Sequence, residues 1–307
     1  MKKKVRYCSA VNRDFLETVT YNNPLFPAFV QYETLSCYPG YSAISHWHRD
    51  LEFIFIKKGK MTYNVNGELL ELTEGNGIMV NSRQLHYGFS PSHEECEFLC
   101  ILLSPELLQG NAWFYQNYVE TVTENSSCPY EYLDGGGWQA AVLERLEHIH
   151  RGFGAGTDTP DAYFGLLEDF VHIMKVLYGN MRQDGNAAKD SAGLDALRSM
   201  IAYIEGNYAE HITLKGIAAS GACCKSRCSL LFKKYLRDTP VTYLTRFRLK
   251  KSLPILLDSE ESITEIAHRC GFGGASYYCE VFKKYYGVSP LTYRKTGEGG
   301  FVYVSRT

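Results

Sequence analysis

Three histidines and one glutamate are the residues of this sequence best suited to chemistry. His46 and His48 lie two residues apart, Glu52 follows four residues later, and His86 comes further along the chain. Imidazole nitrogens and a carboxylate oxygen form a sound ligand set for Zn, Mn, Fe or Ni. These four residues are therefore candidate ligands of a divalent metal and candidate contacts of a small molecule.

The segment that must position them has the pattern of short antiparallel strands. Between about Ala28 and Leu103, short apolar runs alternate with turn signals, and Asn66-Gly67 is the strongest hairpin signal among them. His46, His48 and Glu52 have the same parity, so in an extended chain they point to one face, and a later strand can bring His86 across to them. Many short strands at this spacing predict a sandwich or a barrel.

The spacing of glycine, histidine and glutamate from Gly40 to Gly59 resembles the first motif of the cupin family. The segment ending at His86 resembles the second motif more loosely, with Ser82 in place of the usual proline. Three interpretations stay open. A metal-dependent enzyme would use the four residues as ligands, a sensor would hold a metal or an effector with them, and in the third case they are polar lining only. No cofactor is required in the sensor.

Aromatic residues surround this motif. Trp47 and Tyr63 are candidate effector contacts beside the histidines and Glu52, and Tyr38, Tyr41 and Tyr87 are nearby in sequence. Rings with polar tips suit stacking on a sugar and hydrogen bonding to it. A sugar-like effector is an expectation drawn from the family resemblance.

The charge of the chain is divided unequally. The whole sequence has 32 basic and 34 acidic residues and a net charge of -2, but residues 191–295 contain 16 basic and 9 acidic residues, a net charge of +7. The rest of the chain has a net charge of −9. A basic helical segment beside an acidic β segment predicts that only the basic domain binds the phosphates of DNA. A sugar-binding protein without a DNA function leaves this segregation unexplained.

The basic segment contains an internal repeat. Residues Phe232–Tyr235 recur as Phe282–Tyr285, and residues Pro240–Tyr243 recur nearly unchanged as Pro290–Tyr293, in both cases 50 residues later. Each copy has the pattern of a helix, a turn and a second helix. In the second copy, Ser262 and Glu265 predict a capping box, and a helix from Ala275 to Tyr286 is expected to bury Tyr278, Val281, Phe282 and Tyr285.

The second copy, from Gly271 to Arg294, closely resembles the AraC/XylS family of transcription regulators, and the match covers about Asp195 to Lys295. The resemblance implies two helix-turn-helix units joined by a long helix, with their recognition helices in adjacent major-groove turns of DNA. The residues that it places against DNA are Lys225, Ser226, Arg227, Ser229, Leu230, Lys233, Ala275, Ser276, Glu280 and Lys283.

Three residues depart from the family pattern. Leu230 and Glu280 stand where an arginine is frequent, and a carboxylate can accept a hydrogen bond from cytosine N4. Pro254 lies within the expected connecting helix, Tyr243–Leu257, where it removes a backbone hydrogen bond at a cost of about 3 kcal/mol. We expect a kink there.

Two amphipathic helices are predicted between the β segment and the basic segment. Val142, Leu146 and Ile149 share one stripe with Leu143 beside it. Phe164, Leu167, Val171, Met174 and Tyr178 share another. Such helices either cap the barrel or offer a stripe to a second subunit.

The predicted architecture is an α+β multidomain chain: a cupin-like barrel with helices, and an all-α domain of two helix-turn-helix units. We assign residues 1–110 to a ligand-sensing barrel, 111–180 to a helical dimerisation region, 181–193 to a linker, 194–295 to the DNA-binding domain and 296–307 to a tail. The densest apolar stretch, Phe98–Leu103, is too short to span a bilayer. No secretory signal is recognisable, and the ten cysteines are expected to be reduced thiols.

These features predict a sequence-specific DNA-binding transcription regulator, not an enzyme, that responds to a small molecule. The expected partners are double-stranded DNA, a sugar-like effector and a second copy of the chain, without a membrane, and the expected location is the cytoplasm. The identity of the effector, the operator sequence and the choice between activation and repression are not determined by the sequence.

Overall fold

The computed structural model describes Val19 and residues 21–153, 159–181 and 191–296. The chain divides into two compact units: residues 1–37 with 45–189, and residues 38–44 with 190–307. The first unit contains the sheet and the second contains the helical repeat, so the α+β multidomain prediction is confirmed. Within the described residues, no helix combines the length and the apolar character that crossing a membrane requires.

The first unit is built on an antiparallel sheet of seven strands. The strands are β1 (Ala28–Thr34), β2 (Leu51–Val65), β3 (Glu68–Thr73), β4 (Gly77–Val80), β5 (His86–Phe89), β6 (Cys96–Leu103) and β7 (Tyr130–Leu133). They run in the order β1-β6-β2-β4-β7, and β3 and β5 pair with β2 outside this path. The long strand β2 pairs with β6 and β4 within this path and with β3 and β5 outside it. Its register against β6 shifts between Ile56 and Lys58, and such an irregularity bends a strand.

The β2–β3 hairpin turns at Asn66-Gly67, as predicted. Asn66 has φ 51 and Gly67 has φ 88, and Val65 pairs with Glu68 across the turn. Two successive residues with positive φ are the signature of a tight turn whose twist matches that of the strands. Strand β7 lies in the region that the sequence analysis assigned to helices, and it pairs with β4.

Helices cover one side of this sheet. They are the short α1 (Ala112–Phe114) and α2 (Glu120–Thr123), followed by α3 (Gly137–Gly152) and α4 (Pro160–Asn180). Helix α3 buries the predicted residues Val142, Leu143, Leu146 and Ile149. These side chains join the sheet residues and one face of α4 in a single apolar core.

Helix α4 buries a face that differs in part from the predicted stripe. Met174 is buried, together with Leu166, Phe170, Ile173 and Leu177. In contrast, Phe164, Val171 and Tyr178 are exposed, with 66%, 42% and 36% of their surface accessible. The helix is apolar on two sides, and the second side stays largely exposed, although the ring of Tyr178 contacts that of Tyr118 at 5.0 Å.

The second unit contains seven α-helices among the residues that the structure describes. They are α5 (Ser191–Asn207), α6 (Leu214–Ser220), α7 (Lys225–Leu236), α8 (Pro240–Asp258), α9 (Ile263–Arg269), α10 (Ala275–Tyr286) and α11 (Pro290–Thr296). Helix α5 includes the last three residues of the predicted linker, 191–193. Residues 182–190 of the linker and residues 297–307 of the predicted tail lie outside the described part of the chain.

The repeat is visible as two helix pairs, α6–α7 and α9–α10, connected by α8. The predicted capping box is present: the Ser262 hydroxyl accepts from Glu265 N, and the Glu265 side chain accepts from Ser262 N. In α10 the buried aromatic residues are Tyr278, Phe282 and Tyr286, while Tyr285 is only half-buried. This differs from the predicted burial of Tyr285 because the last turn faces α11, where Tyr286 contacts Tyr293.

Pro254 lies inside α8, which continues for four residues beyond it to Asp258. Pro254 is exposed, while Ser252, Leu253 and Leu256 beside it are buried. Burial of the neighbouring side chains stabilises the helix across a residue that would otherwise interrupt it. The kink at Pro254 stays a prediction.

Candidate functional site

The four candidate metal ligands come together inside the first unit. One ligand atom from each of His46, His48, Glu52 and His86 lies within 4.8 Å of all the others. Strand β2 supplies Glu52 and strand β5 supplies His86, while His46 is held by a two-way backbone bridge to His86, with N···O distances of 3.1 and 2.9 Å. His46, His48 and Glu52, which have the same parity, and His86, which strand pairing brings close, therefore lie at one site.

Glu52 is the centre of this cluster. Its Oε2 atom lies 3.1 Å from His48 Nε2, 3.1 Å from His86 Nε2 and 3.9 Å from His46 Nε2. His48, Glu52 and His86 are buried, but the side chain of His46 is 24% exposed. His46 is therefore the member of the cluster that a molecule from solvent meets first.

Backbone carbonyls determine the orientation of two of the rings. Nδ1 of His48 lies 3.1 Å from Asp50 O, and Nδ1 of His86 lies 2.8 Å from Gln84 O. A carbonyl oxygen only accepts, so both Nδ1 atoms must carry the proton. In the neutral rings the Nε2 atoms then present lone pairs towards Glu52 Oε2, which is also an acceptor. A cation among these atoms, either a proton or a metal ion, removes the repulsion.

The pKa of Glu52 agrees with positive charge on the surrounding imidazoles. Burial raises the pKa of Glu52, but positive charge on His86 and hydrogen bonds from the protonated rings of His48 and His86 outweigh this effect, so the pKa of the carboxyl lies well below its ordinary value. The carboxylate is ionised and available as a ligand.

Tyr63 holds the other oxygen of the same carboxylate. Its hydroxyl donates a short hydrogen bond to Glu52 Oε1, and its ring stacks at 6.3 Å from that of His86. Burial and the Glu52 charge raise the pKa of Tyr63 well above its usual range, so the phenol stays protonated and remains a donor. Trp47 is also buried, and its role as an effector contact stays a prediction.

The ten residues that the sequence analysis placed against DNA lie on α7 and α10. All of the α7 residues, namely Lys225, Ser226, Arg227, Ser229, Leu230 and Lys233, are exposed. On α10, Ser276, Glu280 and Lys283 are exposed and Ala275 is half-buried. The opposite faces carry the buried side chains, which anchor each helix in its unit. This arrangement leaves both predicted recognition faces open to a partner.

Tyr277 is not among the residues that the sequence predicts to contact DNA. Its side chain is 50% exposed on the first turn of α10, next to Ser276. Its position next to the predicted contact Ser276 was the signal that could have identified it. Tyr278, the next residue, is fully buried, and helical spacing alone did not show which of the two tyrosines is exposed.

The N-termini of α7 and α10 differ from those of the helices that precede them. Thr213 and Ser262 cap α6 and α9 through their hydroxyl groups. Helices α7 and α10 have no side-chain hydrogen bond at Cys224 and Gly274, their N-terminal positions. Free backbone amides at the start of a helix are suited to binding a phosphate group.

Comparison with known families agrees with both parts of the chain. A family model described as a cupin domain matches residues 35–102, and one described as a helix-turn-helix domain matches residues 217–296. The cupin match includes all four clustered residues, and the helix-turn-helix match includes both α7 and α10.

Curated relatives are regulators of transcription. An uncharacterised HTH-type transcriptional regulator, YdeC of Bacillus subtilis, is 28% identical over 81% of this chain and 85% of its own length. The HTH-type transcriptional activator RhaS of Mannheimia succiniciproducens is 26% identical over 81% of this chain and 88% of its own length. Among solved structures, an apo ToxT variant from Vibrio cholerae matches 90% of this chain and 99% of its own at 15% identity, with a TM-score of 0.48.

Proposed function

We propose that this chain, a helix-turn-helix transcription regulator of the AraC type with a cupin domain, controls a promoter in response to a small molecule bound by its first unit. The observation that supports this most directly is the pair of 12-residue helices, α7 and α10, that present exposed basic faces on a separate unit. Effector binding changes DNA binding only if the effector prefers one arrangement of the protein. We expect the protein to act in the cytoplasm, together with its DNA.

Binding of the full-length chain to its own upstream region, measured by gel shift over a range of salt concentrations, tests the DNA function. The variant Lys233→Ala with Lys283→Ala should weaken binding and lower the salt dependence by about two counterions. Lys60→Ala, an exposed lysine of strand β2, is the matched control and should bind as the wild type does. Binding without salt dependence would contradict the assignment.

We further propose that the cluster in the first unit holds a divalent metal. The donor set fits, because a carboxylate oxygen and three imidazole nitrogens lie within 4.8 Å and two of the Nε2 atoms face an oxygen that also only accepts. A bound metal would supply a positive charge that anchors an oxygen of the effector. His46, His48, Glu52 and His86 would hold it, and Tyr63 would orient Glu52.

Metal analysis of the purified full-length chain tests this site. We expect about one Zn, Mn, Fe or Ni per chain, and loss of the metal in Glu52→Gln and in His86→Ala with the fold retained. His172→Ala, on helix α4, is the control and should keep the metal. A metal content of zero after incubation with these ions would leave hydrogen bonding to the effector as the role of the histidines.

The effector that we propose is a small sugar-like molecule. Tyr63 and the imidazoles provide the rings and hydrogen-bonding groups that a sugar requires. A thermal-shift screen of the full-length chain with monosaccharides should find a ligand that raises Tm, and the shift should be lost in Glu52→Gln. A catalytic cupin is the alternative, and it would convert the stabilising compound, which chromatography of the incubated ligand would detect.

A homodimer formed through α4 completes the proposal. Phe164, Val171 and Tyr178 are exposed at intervals of seven residues, and Glu168 and Lys175 lie exposed between them. In an antiparallel pair with Val171 at the twofold axis, Phe164 faces the partner's Tyr178, and Glu168 comes close to the partner's Lys175. Such a self-complementary surface is typical of twofold dimers.

A further inference from the structure

The two recognition helices carry the same exposed stripe with one difference. On α7 the stripe is Ser226, Leu230 and Lys233, and on α10 it is Ser276, Glu280 and Lys283. All six side chains are exposed. The serines and the lysines recur after 50 residues, and only the middle residue changes in chemistry.

Helical geometry places each stripe at the centre of the open face. Residues spaced by four and then three positions lie one above another along an α-helix. On α10 the opposite face holds Tyr278, Val281, Phe282 and Tyr286, all buried. The middle residue of each stripe is thus directed away from the core of its helix-turn-helix unit.

We propose that Leu230 and Glu280 are the specificity-determining residues of this regulator, Leu230 reading a thymine and Glu280 reading a cytosine. The inference rests on the proposed DNA-binding function. Serine and lysine at the two ends of the stripe suit sugar-phosphate contacts, which position a helix without reading sequence. Since these contacts are the same on α7 and α10, a difference in base preference between the two helices must come from the middle residue of the stripe.

The chemistry of Leu230 restricts what it can recognise. Its side chain is 62% exposed and has no hydrogen-bonding group. The 5-methyl group of thymine is the apolar feature of the major groove, and it is the feature that an aliphatic side chain can contact favourably. Such a contact also removes apolar surface of Leu230 from water.

The chemistry of Glu280 selects a different base. A carboxylate only accepts hydrogen bonds, and the N4 amino group of cytosine is a donor in the major groove. Among the residues that the structure describes, Glu280 has no ion-pair partner, although Lys283 and Lys284 follow on the same helix. The carboxylate is therefore available to a base, and the two lysines offset its repulsion from phosphate.

Reciprocal exchange of the two residues is the experiment that tests this proposal. The full-length wild type, Leu230→Glu, Glu280→Leu and the double exchange each select duplexes from a random-sequence pool, and the selected sequences are compared. The double exchange has the composition and net charge of the wild type, so it controls for electrostatic effects. Glu280→Gln is a fourth variant, because glutamine prefers adenine.

We expect the wild type to select thymine at one position and cytosine at another, one site in each half of its recognition sequence. Glu280→Leu should change the cytosine to thymine, Leu230→Glu should change the thymine to cytosine, and the double exchange should swap the two. Changing either base in the wild-type site should weaken binding about ten-fold, which is typical of one good base contact.

Three results would overturn the proposal. The exchanges could leave every selected base unchanged, the positions that respond could hold other bases, or Glu280→Leu and Glu280→Gln could strengthen binding to all sequences equally, which would mean repulsion from phosphate only. A wild type that selects no sequence at all would instead contradict DNA recognition itself. The two failures are therefore distinguishable.

Discussion

The hydroxyl of Tyr278 donates a hydrogen bond to Ser252 Oγ across 3.1 Å, and both side chains are fully buried. Ser252 in turn donates to Leu249 O at 2.8 Å. This chain of hydrogen bonds connects helix α10, which carries predicted DNA contacts, to helix α8. The position of one helix on the other is thus determined by a polar contact within an apolar core.

Tyr278→Phe should lower the free energy of unfolding by about 1 kcal/mol, since it removes a buried hydrogen bond and leaves the packing of the ring intact. Denaturant unfolding of the full-length chain, followed by circular dichroism, measures the change. Tyr277→Phe, at the exposed neighbouring position, should have no effect. An equal loss in both variants would show that the Ser252 contact contributes nothing specific.

Gly271→Ala should destabilise the second unit by more than ~2 kcal/mol. Gly271 has φ +77, and a Cβ atom there would lie 2.5 Å from Tyr208 O and 2.8 Å from Ala209 O, so both the backbone conformation and the space exclude a side chain. Gly273→Ala is the control, because a Cβ at that position meets nothing within 4 Å. Comparison of the two midpoints in urea tests the prediction, and similar midpoints would contradict it.

Tyr63→Phe should weaken metal binding by about 10- to 100-fold without abolishing it. The variant removes the hydrogen bond that orients Glu52 and keeps all four proposed ligands. Competition with a zinc chelator provides the affinity. Tyr130→Phe removes a hydrogen bond to another carboxylate of the same unit, that of Glu68, and should leave the affinity unchanged. A metal affinity equal to that of the wild type in Tyr63→Phe would exclude a positioning role for Tyr63.

Charge reversal on α4 distinguishes an antiparallel dimer from other associations. Glu168→Lys alone and Lys175→Glu alone should each weaken the dimer, because each places like charges opposite one another across the twofold axis. The double variant should restore it. Sedimentation at several concentrations measures the dissociation constant, and Val171→Glu should produce monomers. Dimers of unchanged affinity in all four variants would place the interface elsewhere.

Local features of the chain were sufficient to predict much of this structure. The boundaries of α10, the capping box at Ser262 and the turn at Asn66 depend on interactions between residues close in sequence, and the structure agrees with each prediction. Strand β7 was not predicted because its four residues become a strand only by pairing with β4. A segment of four residues is too short to show the periodicity that identifies a strand.

For the candidate site, the sequence determined which residues were available and the tertiary structure determined how they meet. Parity within one extended segment places His46, His48 and Glu52 on one face, but only the pairing of distant strands brings His86 and the hydroxyl of Tyr63 to the same carboxylate. Similarly, the sequence of α4 has apolar residues on two sides of the helix. Packing against α3 and the sheet decides that Phe170 is buried and that Val171 stays exposed. Chemistry and helical or strand periodicity are local properties, whereas burial and the convergence of side chains depend on contacts between segments far apart in the chain.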